Sequence, residues 1–423
     1  MKENHIVSFY YPGRDIGGAQ LLFSRIAEYL YHAGYPIKVY GDERCYIAKY
    51  LSENQVEFIS SRTKLNGKFV VGEDELFILS LSVAADIGEE FNFFPDTRFI
   101  FWDLHPNCLV SQTALFDVYN KIVDDKVTGK VMRVLEKVRV EKIESMVVKA
   151  VEANGLIFMS DYNFTVNKNM FELPENVDLV PIPLTVNENG RSLDRNPEKG
   201  SGIIRIGWIS RLMRHKNKVL SILVDDICAS SYPTELTIIG DGNDRKYIEN
   251  YVSRKKAENI KFAGRIGTNQ LQEYLIQNID LGVSVGTSAL EFAKASIPTV
   301  LAPAAAQSRY FSKHNEGYAW LHQANGFDVN TYKENKDINQ TFNEILRDYQ
   351  SNYKAYGQYA YDYVYHNHSI ESVGNRIIDL AKINRYTYKD LQASGLSNKT
   401  PYQKFLFDTM GLYGTLKEKF IKP

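Results

Sequence analysis

The sequence predicts an α/β protein of two doubly wound domains, and three observations carry that prediction. Short apolar runs alternate with helical patterns from end to end. A complete βαβ unit fits within the first forty residues. A second series of strands then begins after a long polar stretch, Thr185–Gly202, rich in Asn, Gly, Arg and Glu.

Taken in order, His5–Tyr11 reads as a strand and Pro12–Gly18 as a glycine-bearing loop. In Ala19–Ala33, Leu22, Phe23, Ile26, Ala27 and Leu30 recur at helical spacing, so the segment is an amphipathic helix. Gly34 is placed to end it, and Ile37–Tyr40 is the next strand. Further strands are expected at Leu76–Leu81, Phe99–Trp102, Leu156–Met159 and Leu179–Ile182. The second series runs Ile203–Ile209, Leu236–Ile239, Ile260–Phe262, Leu281–Val285 and Thr299–Leu301. A last helix, Ile370–Ile383, follows the capping candidate Ser369. The expected division is residues 1–190 and 200–365 as the two domains, 366–384 returning to the first, and 385–423 as an apolar tail carrying Phe405, Leu406, Phe407, Met410, Leu412 and Tyr413.

Composition bounds the function. With 423 residues, 44% hydrophobic and 24% charged, the chain can bury large cores. Fifty cations against fifty-one anions give a net charge of −1, which gives no reason to expect nucleic acid as a partner. Three scattered cysteines, Cys45, Cys108 and Cys228, make neither a disulfide framework nor a zinc spacing and suit a reducing compartment. No leader core or spanning run is visible, so a cytoplasmic protein is expected, or one resting on the inner face of the cell membrane. Between Lys121 and Lys149 one helical pattern puts Lys126, Lys130, Arg133 and Lys137 on a face beside Val127, Val131, Val134 and Val138. It fits a helix covering the first domain or one lying on anionic lipid.

Three loops carry candidate chemistry. Gly17-Gly18 opens a helix, where paired glycines let backbone approach an anion, although a turn needing positive φ reads the same way. The dinucleotide pattern Gly-x-Gly-x-x-Gly is absent there, which argues against NAD. Arg211 and Lys216 lie five residues apart after a strand, where ligands of open α/β sheets collect. Two cations suit a leaving diphosphate. Since no Asp-x-Asp sequence occurs, a metal-independent site without a cofactor is expected. Gly286-Thr287-Ser288-Ala-Leu-Glu291 opens a helix expected to continue to Ala295. Thr287 and Ser288 are placed to cap it and offer hydroxyls to a phosphate, and Glu291 suits either the helix dipole or a sugar hydroxyl pair.

Four segments in order resemble the retaining glycosyltransferases of the GT-B fold, family 4, of the group 1 type that builds polysaccharides and glycolipids. They are Gly17-Gly-Ala-Gln-Leu through Gly34, Ser210-Arg-Leu with Lys216-Asn, Leu236-Thr-Ile-Ile-Gly-Asp-Gly242, and Asp280 through Glu291 to Pro298-Thr-Val. The resemblance spans residues 5 to about 384. It implies two Rossmann-like domains facing a cleft, with C-terminal helices returning to the N-terminal domain. It further implies that Arg211 and Lys216 hold the donor diphosphate and Glu291 the ribose. Gly286, Thr287 and Ser288 would lie against the distal phosphate with Gly17 and Gly18 opposite, and Phe262-Ala-Gly264-Arg265 would seat the base. His105, in Trp102-Asp-Leu-His-Pro106, matches a family histidine near the transferred sugar; an ordinary loop-capping imidazole is the alternative reading.

Two positions depart from the pattern. Val283 stands where the family usually has a sugar-contacting glutamate, and Pro181-Ile-Pro-Leu184 replaces an Asn-Gly turn. The expected activity is transfer of a hexosyl group from a nucleotide diphosphate sugar to a saccharide or lipid-linked saccharide, with retention, in surface polysaccharide or glycolipid assembly. A sugar-nucleotide epimerase and a non-catalytic sugar-nucleotide-binding scaffold are the alternatives.

Overall fold

A computed structural model describes residues 6–12, 18–52, 56–122, 124–184, 186, 202–302, 317–324, 340–399, 401 and 404. The chain divides into two compact units, Met1–Pro183 with Val373–Pro423, and Leu184–Ser372. Each is Rossmann-like. Among the described residues no helix is long and apolar enough to cross a membrane.

The first unit is built on a seven-stranded sheet in the order Glu57–Ser60, Ile37–Gly41, Ile6–Tyr10, Glu75–Ser80, Arg98–Asp103, Leu156–Phe158, Asp178–Leu179. Every neighbouring pair is parallel. Burial on both faces explains why its central strands read as continuous apolar runs; Glu75–Ser80 is buried throughout. Strand order reverses between Ile6–Tyr10 and Glu75–Ser80, which makes the carboxyl end of that pair a switch point.

The helix after the first strand spans Gly18–His32 and buries Leu22, Phe23, Ile26, Ala27 and Leu30. Gly34 ends it with φ 86°, its N–H reaching Tyr31 O at 2.9 Å while the Tyr35 N–H reaches Leu30 O at 3.0 Å. That pair of bonds satisfies the last free carbonyls of the helix.

The second unit has a six-stranded sheet, in the order Ile260–Gly264, Thr234–Ile239, Ile204–Ile209, Leu281–Ser284, Thr299–Leu301, Ala319–Trp320. Only the last pairs antiparallel. Its switch point lies between Ile204–Ile209 and Leu281–Ser284. A kinked helix, Phe342–His368, opens with a Thr341/Glu344 capping box and bends at Asn352.

The structure corrects several expectations. The single helix between Lys121 and Lys149 is two, Asp125–Leu135 and Lys137–Glu152. The break falls at Glu136, whose carboxylate accepts the Ala114 N–H at 2.8 Å, the Leu115 N–H at 2.9 Å and the Tyr119 hydroxyl at 2.9 Å. Satisfying those groups outweighs helical continuity. Arg133 leaves the expected basic face to pair with Glu144 at 2.6 Å. The strand expected at Leu179–Ile182 pairs only through Asp178–Leu179, because Pro181 and Pro183 carry no N–H to donate. Of the expected apolar tail, residues 385–397 pack on the first unit. Tyr386, Tyr388, Leu391 and Leu396 are buried in the core of the first unit. Phe405 to Tyr413, and all of the Thr185–Gly202 linker except Val186 and Gly202, lie outside the described residues.

Candidate functional site

In the second unit the four loops of interest all leave the carboxyl ends of the parallel strands of one sheet, two of them flanking its switch point. The central one carries Arg211. Its backbone is clamped by the loop after the neighbouring strand: Ser210 N–H donates to Ile239 O at 3.1 Å, Leu212 N–H to Asp241 O at 3.0 Å, and Asp244 N–H to Leu212 O at 3.1 Å. This clamp requires glycine. A Cβ at Gly240 would lie 1.9 Å from Ser210 O, and one at Gly242 would lie 2.4 Å from Leu212 O. Leu212 is fully buried beneath, so the Arg211 loop is fixed from two sides.

Lys216 sits on the first turn of helix Arg214–Ala229. Burial, and then the charge of Arg211, lower its pKa from 10.5. Both causes oppose its charged form, and neither cation has an ion-pair partner among the described residues. A partly desolvated ammonium near a second cation would gain from an anionic counter-charge. The side chains of Arg214 and His215 lie outside the described residues.

Across the switch point, the Ser284 hydroxyl donates to Ile209 O at 2.8 Å and ties the second loop to the first. Gly286 follows with φ 62° and ψ −148°, a conformation open only to glycine. The helix it opens spans Thr287–Ala293 and does not reach Ala295. Neither Thr287 nor Ser288 caps it. The residue at the cap is Gly286, and no side chain bonds there. Both hydroxyls lack partners among the described residues. Glu291 is paired with Lys294 at 2.6 Å, a contact the sequence reading missed although the i, i+3 spacing was visible. Val283 is fully buried against the sheet core, so that position offers no polar group to a ligand.

The outer loop begins at Gly264, with φ 70°, and exposes Arg265. Beside it the guanidinium of Arg245 lies over the Phe262 ring at 5.8 Å and pairs with Asp241 and Glu249. The sheet thus gathers Arg211, Lys216, Gly264, Arg265, Gly286, Thr287, Ser288 and Glu291 on one edge of one unit.

In the first unit Gly18 begins its helix after the first strand, while Gly17 lies outside the described residues. His105 is exposed in the loop after strand Arg98–Asp103. Its Nδ1 accepts the Asn107 N–H at 3.2 Å. Beneath it, Asp103 is fully buried; burial pushes its carboxyl well above the usual carboxylate range, against hydrogen bonds from the His105 N–H and Asn163. Sequence reasoning missed Asp103, Asn163 and Asn167. The spacing of the two asparagines on one helix, Asp161–Met170, was the available signal.

Comparison with known proteins bears on the fold and on the second unit. Residues 194–363, all within the second unit, match the family model described as glycosyl transferases group 1. No curated protein matches the chain. Among solved structures, Anabaena HepE in complex with UDP aligns at TM-score 0.50 and 12% identity, covering 90% of this chain and 100% of that one. A glycosyltransferase from Rickettsia africae aligns at 0.53 and 12%, covering 90% and 98%. A TarM variant of S. aureus, in complex with fondaparinux, alpha-GlcNAc-glycerol and UDP, aligns at 0.54 and 12%, covering 89% and 99%. These likenesses establish the GT-B fold. The family match, over residues 194–363, makes the second unit similar to a group 1 glycosyltransferase domain.

Proposed function

We propose that this glycosyltransferase moves a hexosyl group from a nucleotide diphosphate sugar to a saccharide or lipid-linked saccharide, with retention and without a metal. The observation that carries the reading is the pair Arg211 and Lys216, without an ion-pair partner among the described residues, beside the switch point of the second sheet, with the Arg211 loop held by the Gly240–Gly242 clamp. In this reading the bond between the anomeric carbon and the diphosphate oxygen breaks, and its electron pair leaves with the diphosphate. The two cations take up that charge. The acceptor hydroxyl bonds to the same face of the sugar and passes its proton to the departing oxygen. No nucleophile on the protein is needed, and two fixed cations supply the charge stabilisation a divalent ion would otherwise give.

Glu291 is assigned to the ribose hydroxyls, Gly264 and Arg265 to the base, and Gly286, Thr287 and Ser288 to the distal phosphate. Gly17, Gly18 and His105 belong to the sugar and acceptor side. HepE has been crystallised with UDP and with UDP-glucose, which supports a nucleotide sugar as donor here. A lipid-linked acceptor in polysaccharide or glycolipid assembly is supported by outward valines, Val134 at 82% and Val138 at 66% exposure, beside Lys130 and Lys137. Flotation with anionic vesicles tests that part; recovery unchanged by Val134→Glu with Val138→Glu removes it.

The deciding experiment incubates the protein with UDP-, GDP- and ADP-sugars in EDTA, following nucleotide release with and without saccharide acceptors. Acceptor-dependent release supports the reading. A sugar isomer formed without acceptor would make the protein an epimerase, and tight nucleotide binding with no release would make it a scaffold.

A further inference from the structure

We propose that Asp103 is a positioning residue, holding the loop of His105, and through it the imidazole, for contact with the transferred sugar; this rests on the reading of His105 as a sugar-contacting group. Asp103 ends the strand Arg98–Asp103. Its Oδ1 accepts the His105 backbone N–H at 3.3 Å and Asn163 Nδ2 at 3.3 Å, and its Oδ2 accepts Asn167 Nδ2 at 3.2 Å. All three side chains are at most 1% exposed. Asn163 and Asn167 are in turn fixed: Asn163 Nδ2 also donates to Asp103 O at 3.3 Å, and Asn167 Nδ2 to Asn163 O at 2.8 Å.

A carboxyl buried without a paired cation among the described residues is a costly way to fill space, and an apolar residue would fill it without desolvation. What the carboxyl adds is an acceptor for the amide of His105, aimed by two asparagines on a neighbouring helix. Two residues on, the Asn107 N–H donates to His105 Nδ1 at 3.2 Å. A neutral imidazole that accepts at Nδ1 carries its proton on Nε2, which makes Nε2–H a donor suited to a sugar hydroxyl. Asp103 therefore acts on the substrate only through the loop: it sets where the ring stands and which nitrogen bears the proton.

The test compares Asp103→Leu, Asp103→Asn and, as a variant that leaves the strand untouched, Asn163→Ala. Imidazole 15N–1H NMR, with His105 assigned by its loss in His105→Gln, reads the tautomer directly. In the wild type the Nε2–H form is expected. In Asp103→Leu it is expected to give way to a tautomer mixture, with kcat down roughly 10- to 100-fold and donor KM little changed, the penalty of a misplaced group. Asp103→Asn should restore the signature and keep kcat within about threefold of wild type, because the new amide oxygen can accept the same N–H. The buried Asn167 Oδ1, which has no partner among the described residues, can turn to accept the other half of that amide. Asn163→Ala should fall between the two, and it decides the matter if Asp103→Leu does not fold. An unchanged His105 signature in both Asp103→Leu and Asn163→Ala overturns the proposal, as does loss of thermal stability alone with kcat retained. Should the wild type turn over no nucleotide sugar while the signature still shifts, the proposed reaction fails and the positioning of His105 stands.

Discussion

Lys216→Ala tests the proposed site most severely, because its effects on activity and on stability have opposite signs. In the unliganded protein Lys216 is desolvated and lies near the charge of Arg211, both of which lower its pKa. Removing it relieves a like-charge contact, so the melting temperature should hold or rise. In turnover the same ammonium meets the departing diphosphate. A hydrogen bond between charged groups contributes about 1.5–3 kcal/mol net, and a charge pair at about 4 Å contributes about 4 kcal/mol at an effective dielectric near 20. Taking about 3 kcal/mol for the part felt as the diphosphate leaves, kcat falls by about two orders of magnitude. Nucleotide release under saturating donor, beside a thermal melt of the same preparation, measures both. A cooperative melt together with kcat within a factor of about three of wild type would refute the placement of this cation.

Three further outcomes are expected. Lys216 has a folded pKa below its ordinary 10.5, so the cost of its charged form is present below the folded value and disappears as pH rises from there toward 10.5. The unliganded protein should gain stability across that window while nucleotide affinity falls; calorimetry with UDP and Lys216→Arg checks this, since an arginine remains charged and should abolish the decline. Gly240→Ala drives a Cβ to 1.9 Å from Ser210 O at φ 128°, and should cost about 3 kcal/mol or more and weaken nucleotide binding; an unchanged denaturation midpoint would show that the clamp yields. Glu291→Gln should narrow the preference for a ribonucleotide over its 2′-deoxy analogue by about tenfold, the weight of one charge-assisted bond, and a preference equal to wild type's would take Glu291 out of ribose contact.

The parallel strands were legible because burial on both faces leaves runs such as Leu76–Leu81 with almost no polar residues. Strand Glu57–Ser60 was not, since as the edge of its sheet it is only partly buried and mixes Glu and Ser with its apolar residues. The valines at 127, 131, 134 and 138 keep one helical period through Glu136, so periodicity could not reveal a break made by bonds from residues 114, 115 and 119. At the candidate site, Arg211, Lys216 and Gly286 were visible because their residue types answer to chemistry or to φ. The Lys294 contact with Glu291 and the acceptor role of Asp103 depend on distances that a one-dimensional pattern does not carry.

The make-up of the first unit bears on how the chain is born. Arg98 reaches the carbonyls of Ala381 and Asn384, the Phe99 N–H bonds Tyr386 O, and Asn384 Nδ2 returns to Phe99 O. Gly155 leaves no room for a Cβ beneath the Tyr386 ring. A ribosome that has just added residue 183 has therefore made every strand of a sheet whose sealing pieces are still some two hundred codons away. The later-made Leu184–Ser372 unit, contiguous in the message, can close first, and the earlier portion must wait with an apolar seam open, the interval in which a chaperone would find it.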